Sequence, residues 1–212
     1  MLPCDDGSDI FAARMVATES IGRMRGNEVN VSKPHWRLAR TTDITAIIAI
    51  AERIHPDLFE RPEVFVEKMR LCPDGCRVLI GDEGIVGYGL AHPWKQYQIP
   101  PLDCFLASLP DDADCLYVHD VAVLPFARGG VAAAYIRTLE QLARSSGAVL
   151  ALVSVYATQT LWEQFGFQSV TTDTELRAKL ACYGESATYM LWDLAAAQSP
   201  RPPAPNDDIR IS

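Results

Sequence analysis

The apolar positions of this chain change period several times between residues 34 and 194, and each change marks an element. "HWRLAR" (35–40) alternates apolar and polar residues as a strand does. "TTDITAIIAIAERIH" follows, with Thr and Asp suited to capping and apolar residues at helical spacing, until Pro56 stops it. "RPEVFVEKMRL" predicts a second helix with Pro62 in its first turn, where a missing N–H costs nothing. Two β-rich runs around Asp-Glu-Gly in "CRVLIGDEGIVGYGLAH" predict a hairpin. A Pro-rich connection over 93–114 leads to the strand "CLYVHDVAVL", and loops of that length inside a compact domain are usually functional. From Gly130 the chain reads as a helix, with Val131, Tyr135, Leu139 and Leu142 on one stripe and Gly147 closing it. "VLALVSV" (149–155) is a continuous apolar run suited to a strand buried on both faces. "TQTLWEQFGF" predicts a short helix ending at Gly166, and "ATYMLWDL" (187–194) a last strand.

The order is strand, two helices, hairpin, strand, helix, strand, helix, strand, which predicts an α/β domain built on a mixed sheet. No internal repeat stands out. Residues 1–33 show no sustained period and are expected to be a loosely ordered extension with one short helix at Ile10 to Val16. Residues 195–212, rich in Pro and polar residues, are expected to be a flexible tail, leaving 34–194 as the folded domain.

With 212 residues and 49% hydrophobic content, the chain can bury one full-sized core. A formal net charge of -8 and a pI near 5.0 argue against a nucleic-acid or anionic-membrane surface and favour a cationic or neutral small substrate. The cysteines, Cys4, Cys72, Cys76, Cys104, Cys115 and Cys182, form no CxxC and no Cys/His cluster at zinc spacing, so no metal is expected and free thiols in a reducing cytosol are. The N-terminus lacks the order of a secretory signal, and no apolar run approaches the ~20 residues that span a bilayer, so a soluble, cytoplasmic monomer or homodimer is expected.

"HDVAVLPFARGGVAAAYI" (119–136) carries the first chemical signal. A helix start leaves backbone N–H groups unpaired and carries partial positive charge, an anion site if side chains do not block it. Gly129, Gly130 and Ala132 remove those side chains, and Arg128 adds a full charge. Taken alone, the same residues also fit an ordinary tight turn. A P-loop is disfavoured, because the Gly-Lys-Ser/Thr ending is absent.

"VAVLPFARGGVA" and "LWEQFGF" together resemble the GNAT (Gcn5-related N-acetyltransferase) superfamily, whose motifs read apolar-x-V-x-P-x-x-R-G-x-G-x-G/A and, later, L-Y-x-x-x-G-F. The resemblance covers about residues 34 to 194 and implies the mixed-sheet acyl-CoA acyltransferase fold with acetyl-CoA as co-substrate and no metal. It implies that Arg128, Gly129, Gly130, Val131 and Ala132 hold the pyrophosphate, and that the backbone of Val121, Ala122 and Val123 pairs with the pantetheine arm. The loop departs from the motif: the two glycines are adjacent, so the usual leading Arg or Gln position falls on Ala127 and Arg128 reaches a phosphate from a shifted place.

Regular alternation places Tyr117, His119, Val121 and Val123 on one face of their strand and Val118, Asp120 and Ala122 on the other. His119 is the candidate base, since an unperturbed imidazole titrates near ~6.5; a packed or hydrogen-bonded histidine is the alternative. "LYVHDVAVLP" looks most like the arylalkylamine N-acetyltransferase branch, whose H-x-H-A-L-A-V strand maps its second histidine onto His119 and its first onto Tyr117. Tyr117 is therefore a candidate catalytic residue or a core aromatic, and Asp120 orients His119 only if the strand bends. Trp162 stands where many members have an acidic Tyr beside the CoA sulfur, and indole is far too weak an acid for that role. It is expected to pack against the cofactor's arm, with the thiolate leaving unassisted or Tyr156 or Tyr183 substituting. Asp103, Asp111, Asp112 and Asp114 of the long loop are expected to draw a cationic amine between walls of Trp94, Tyr97 and Phe105, or simply to be solvated. The implied activity is acetyl transfer to a primary amine of a small molecule, arylalkylamine or polyamine-like. The alternatives are a non-catalytic acyl-CoA-binding module and a protein N-acetyltransferase.

Overall fold

The computed structural model describes residues 33–145 and 148–196. The helix expected at 10–16, the closing role of Gly147 and nearly all of the C-terminal tail lie outside those residues. Strands β1 (His35–Leu38), β2 (Arg77–Gly81), β3 (Gly84–Trp94), β4 (Cys115–Val123), β5 (Val149–Ser154), β6 (Gln168–Ser169) and β7 (Thr188–Asp193) form one sheet in the order β1-β2-β3-β4-β5-β7-β6. Only β4 and β5 run parallel, and every other neighbouring pair is antiparallel. The helices are α1 (Ile44–Ile54), α2 (Pro62–Leu71), α3 (Val131–Ser145), α4 (Gln159–Phe165) and α5 (Thr174–Leu180). The mixed α/β fold matches the expectation, with β6 and α5 added. Asp173 caps α5 by accepting from the Leu176 N–H at 2.8 Å, so its start signal is the same short acidic cap that opens other helices.

β3 shows why the two faces take different helices. Its side chains alternate, so Tyr88 and Leu90 join Ile47, Ile50, Phe65 and Met69 of α1 and α2. Ala91 joins the opposite core, with Tyr135, Ile136 and Leu139 of α3. Gly89 faces α3 as well, and a methyl group there would lie 2.3 Å from the Tyr135 ring, so its absence is what lets α3 sit on the sheet. Tyr135 then stacks on Trp36 at 4.9 Å, and Trp36 donates from Nε1 to the Val131 carbonyl at 2.8 Å. The first turn of α3 is thereby tied to β1.

β4 breaks the regular alternation expected for it. Leu90 pairs with Asp120 and Ala91 with Val118, leaving His119 as an extra residue, a β-bulge. Val118 and Val121 consequently pack on the same α3-side core, while Ala122 joins the α1/α2 core.

α4 ends at Gly166, whose φ of 110° is the left-handed cap that glycine adopts without strain. A Cβ there would also sit 2.8 Å from the Trp192 ring, whereas Gly184, with φ 103°, has open space around it. Gly166→Ala should therefore lose about 1–3 kcal/mol, combining backbone strain with overpacking. Gly184→Ala should lose measurably less, and urea denaturation of the two variants side by side checks the difference.

Candidate functional site

The site begins where β4 and β5 part. They pair at Leu116–Leu150, Tyr117–Ala151 and Val118–Leu152, after which β4 continues to Val123 while β5 stays beside β7. Pairing stops at the residue before the bulge. The β4 edge from His119 to Val123 thus faces a wedge and not a strand, and its peptide groups are placed to pair with an extended ligand.

At the wedge's outer end the chain turns through Pro125–Ala127 into Arg128, Gly129 and Gly130, and α3 opens at Val131. Gly129 and Gly130 have φ of 121° and 74°, conformations that glycine permits. No atom lies within 4 Å of where a Gly129 side chain would be, so the mouth is clear. The opening N–H groups of α3, those of Val131 and Ala132 among them, have no acceptor inside the helix. Arg128 is extended and exposed, and its Nε donates to the Val123 carbonyl at 3.3 Å, which sets the guanidinium over the end of β4. Val121, Ala122, Val123, Arg128, Gly129, Gly130, Val131 and Ala132 therefore follow one another along the wedge, with the Ala122 side chain turned away into the core. Trp162 is half-buried on the α3 side, 5.6 Å from Phe167 and 6.1 Å from Phe165 between ring centres.

The inner end of the wedge carries two imidazole–carboxylate pairs. His119 Nε2 lies 2.7 Å from Glu60 Oε2, with only 3% and 5% of the two side chains exposed. Glu60 also accepts the Asp103 N–H at 3.1 Å and lies 3.6 Å from the buried Lys68 ammonium. Burial alone would raise the Glu60 carboxyl, but His119 and Lys68 outweigh it and hold it down at about 2. Burial pushes the Lys68 ammonium down in turn. His119 Nδ1 has no protein partner.

A second imidazole adjoins it. His92, fully buried on β3, lies 5.9 Å from the His119 ring. Its Nδ1 is 3.1 Å from the Pro93 carbonyl, which can only accept, so Nδ1 carries the hydrogen and Nε2 presents a lone pair without a partner. Burial drives His92 down to about 3, which keeps it neutral. His92 stands opposite Tyr117 in the β3–β4 register. Tyr117 itself is buried among Tyr189, Leu176 and Leu180, and burial lifts its hydroxyl well above the usual value. His92 and Tyr117 both flank His119, at 5.9 and 6.4 Å between ring centres.

Asp120 does not orient His119. The bulge sends both side chains toward the α1–α2 segment, where Asp120 accepts from the Tyr88 hydroxyl and pairs with His55 Nε2 at 3.0 Å. Burial opposes charge on His55, yet the neighbouring Asp120 prevails and the His55 pKa is raised.

The long loop also differs from expectation. Asp103 is held by Arg61 (2.8 Å), Asp112 by Lys95, and Asp114 accepts the Gln96 N–H at 2.7 Å. Three of the four carboxylates expected to attract an amine thus bind groups of the protein. Glu67 of α2 accepts the N–H groups of Leu106 (2.6 Å) and Ala107 (3.0 Å), pinning the loop beside α2. Trp94 lies edge-on to His92, Tyr97 packs on Tyr189, and Phe105 takes the Arg61 guanidinium on its face at 5.6 Å. Tyr183 donates to the Pro100 carbonyl at 2.7 Å.

Glu60, His92 and His55 were missed by pattern reading. The sequence offers only the count of four histidines; the fold brings three of them to β3 or β4 around the bulge.

Residues 44–167 match the Acetyltransferase (GNAT) family. The chain belongs to that family. No curated protein matches it in sequence. Among solved structures, N-acetylglutamate synthase from Neisseria gonorrhoeae, with coenzyme A and N-acetyl-glutamate, shares 19% identity at a TM-score of 0.56, over 77% of this chain and 35% of that one. GphF, a GNAT-like decarboxylase with isobutyryl-CoA, shares 18% identity at a TM-score of 0.60, over 76% and 99%. Naa50 from Arabidopsis thaliana, with the bisubstrate analogue CoA-Ac-MVNAL, shares 10% identity at a TM-score of 0.55, over 76% and 97%. Likeness at these identities establishes the GNAT fold, and it does not select the arylalkylamine branch. No group of three or more His, Cys, Asp or Glu able to hold a metal occurs among the described residues, and no helix among them is long and apolar enough to cross a membrane.

The depressed Glu60 value has a consequence for stability. A carboxyl lowered on folding contributes stability above its unfolded value near ~4.3, and that contribution is lost as pH falls toward the folded value. The parent should exceed Glu60→Gln by about 3 kcal/mol at pH 7, with the gap closing as pH falls from 4.5 toward 2. Urea midpoints for both proteins across that range test this.

Proposed function

We propose that the protein transfers an acetyl group from acetyl-CoA directly to the primary amine of a small molecule, within a catalytic domain spanning 34–194. One observation carries the reading: a single wedge runs from the helix start at Val131, left open by Gly129 and Gly130, to the buried His119–Glu60 pair. The pyrophosphate is received by the N–H groups and dipole of α3 and by Arg128. The pantetheine arm pairs with the open edge at Val121 to Val123, with the acetyl group at the bulge. His119, its Nε2 tied to Glu60, presents Nδ1 to the amine directly or through water and removes its proton as nitrogen attacks the carbonyl carbon. Trp162 packs beside the arm.

A small acceptor is favoured because the loop over 95–114 is fastened to Glu60, Arg61 and Glu67, next to the base, where a peptide would need an open groove. Exposed Phe59 and Phe105 favour an arylalkylamine over a polyamine, and the net charge of -8 favours a cationic approach.

A CoA-release assay across arylalkylamines, polyamines, aminoglycosides and peptides tests the reading, with turnover expected on arylalkylamines. Peptide-only turnover would instead assign protein N-acetylation, and acetyl-CoA binding without transfer would assign a non-catalytic acyl-CoA module. Acetyl-CoA should raise the melting temperature by mass action. Gly130→Glu should abolish that rise by placing a carboxylate at the pyrophosphate position. His119→Ala should lower kcat/KM about 10²-fold and flatten the acidic limb of the pH profile. A parent-like rate and profile in that variant would remove His119 from the mechanism.

A further inference from the structure

We infer that His55, held by Asp120 and Tyr88, is the general acid that protonates the departing CoA thiolate. The inference rests on the acetyltransferase reading above and fills the role that Trp162 cannot.

The geometry is that of an oriented proton donor. His55 caps the C-terminus of α1, where Pro56 ends the helix, and its ring leaves the helix toward β4. There Nε2 meets Asp120 Oδ1 at 3.0 Å, and the other Asp120 oxygen accepts from Tyr88. Asp120 lies just past the bulge, on the part of β4 that has lost β5 as a partner. The Val121 carbonyl adjoins the His55 ring, so the imidazole reaches the same strand edge that the arm would follow. Both ring nitrogens are buried, and the contact of Nε2 with Asp120 is an ion pair by distance alone. An imidazole set between a carboxylate and the open edge of β4 matches the triad logic of an acid or base.

The two dyads differ in depth. His119 and Glu60 are 3% and 5% exposed, whereas His55 and Asp120 are 13% and 18% exposed, so the second pair lies nearer to solvent. Tyr156 covers it. That residue has φ 52° and its successor Ala157 φ 58°, two adjacent non-glycine residues in left-handed backbone. This turn, following β5, lays the Tyr156 ring flat on His55 at 5.7 Å and 9°. The Tyr156 ring thus bridges the wedge from the β5 side to the α1 side and screens the imidazole.

The step balances without another reactant. When the C–S bond breaks, its electron pair leaves with sulfur, and the proton on His55 Nδ1 moves to sulfur to give the CoA thiol. The neutral imidazole takes a proton from solvent, while the amine's proton has gone to His119. The groups around His55 are Asp120 and the Val121 backbone from β4, Tyr88 of β3 behind Asp120, and Tyr156 from the β5–α4 turn, which itself adjoins Asp57 of the α1–α2 connection. Asp120 favours the imidazolium, and the pKa of His55 is raised above the ordinary histidine value. An acid works while protonated, so its contribution is present below that raised value and lost as pH rises through it.

Steady-state kinetics on the full-length protein test the assignment. His55→Asn and His55→Gln should each lower kcat about 10²-fold and abolish the basic limb of the pH profile. They should keep the acidic limb and the acetyl-CoA-induced rise in melting temperature, which also shows that they fold. Asp120→Asn should move the basic limb to lower pH, the mark of a positioning residue. Tyr156→Phe, which keeps the stacked ring without the hydroxyl, should retain the parent kcat. Parent-like kcat and basic limb in both His55 variants overturn the proposal alone, and so does a loss confined to Tyr156→Phe, which would make that phenol the acid. A parent that binds acetyl-CoA but acetylates no amine overturns the acetyltransferase reading and this proposal together.

Discussion

One extra residue in β4 is the constraint on which the site depends. Without His119 in the bulge, β4 would keep regular alternation along β3 and could continue its parallel ladder with β5. With it, pairing to β5 ends at Val118, and Asp120 registers with Leu90. A bulge bends the strand that carries it and re-aims the side chains that follow. Two results come from one irregularity: an unpaired backbone edge for an extended ligand, and two successive polar side chains directed to the same helical segment. Regular alternation would have sent one of them into the α3-side core, where Tyr135, Ile136 and Leu139 offer no polar partner.

Burying Glu60, Lys68, His119 and His92 together is costly, since an ionised group loses several kcal/mol of hydration. The arrangement offsets this with reciprocal charges and shared hydrogen bonds. Glu60 faces His119 on one oxygen, and Lys68 and the Asp103 N–H on the other. That last bond couples the site to the long loop, because Asp103 in turn holds Arg61, the residue after Glu60. Loop carboxylates spent on such contacts cannot also collect a cationic amine, so on the proposed reading the attraction would come from the overall acidic field and the dyads themselves. His92 contributes differently: neutral and fully buried, it fills the space beside His119 without adding charge.

Elements with strong periodicity were legible in the sequence because their signal is local. The β2–β3 hairpin, α3 and the buried β5 each announce themselves within a dozen or so residues. β6, two residues long, has no period to detect, and α5 carries an Asp cap but a stripe too short to stand out. The glycine loop was legible for the same local reason, as only small residues leave a helix start open. The polar partners were not. Glu60, His55 and His92 come from an α1–α2 connection, a helix cap and a neighbouring strand, and nothing in their own neighbourhoods marks them as one cluster. The bulge was illegible too, because alternation is the default for a strand and the slip appears only when β4 is laid against β3.

In the proposed transfer Trp162 stands where the family's usual acid would be, and the chemistry can be kept if another group supplies the proton. Its indole packs against Phe165 and Phe167 on the α3 side, so the position retains a large apolar contact while giving up an acidic hydroxyl. The loss is tolerable, because a thiol near ~8.5 is a much better leaving group than an alcohol and needs only modest proton assistance. A donor of modest strength on another element can supply it. The bulge makes the opposite face the natural source, since it turns Asp120 toward α1 and so gives His55 a carboxylate to hold its ring. On the proposed reading both proton transfers fall on the acceptor side of β4, one at His119 and one at His55 beside Asp120, while the α3 side is left to bind the cofactor.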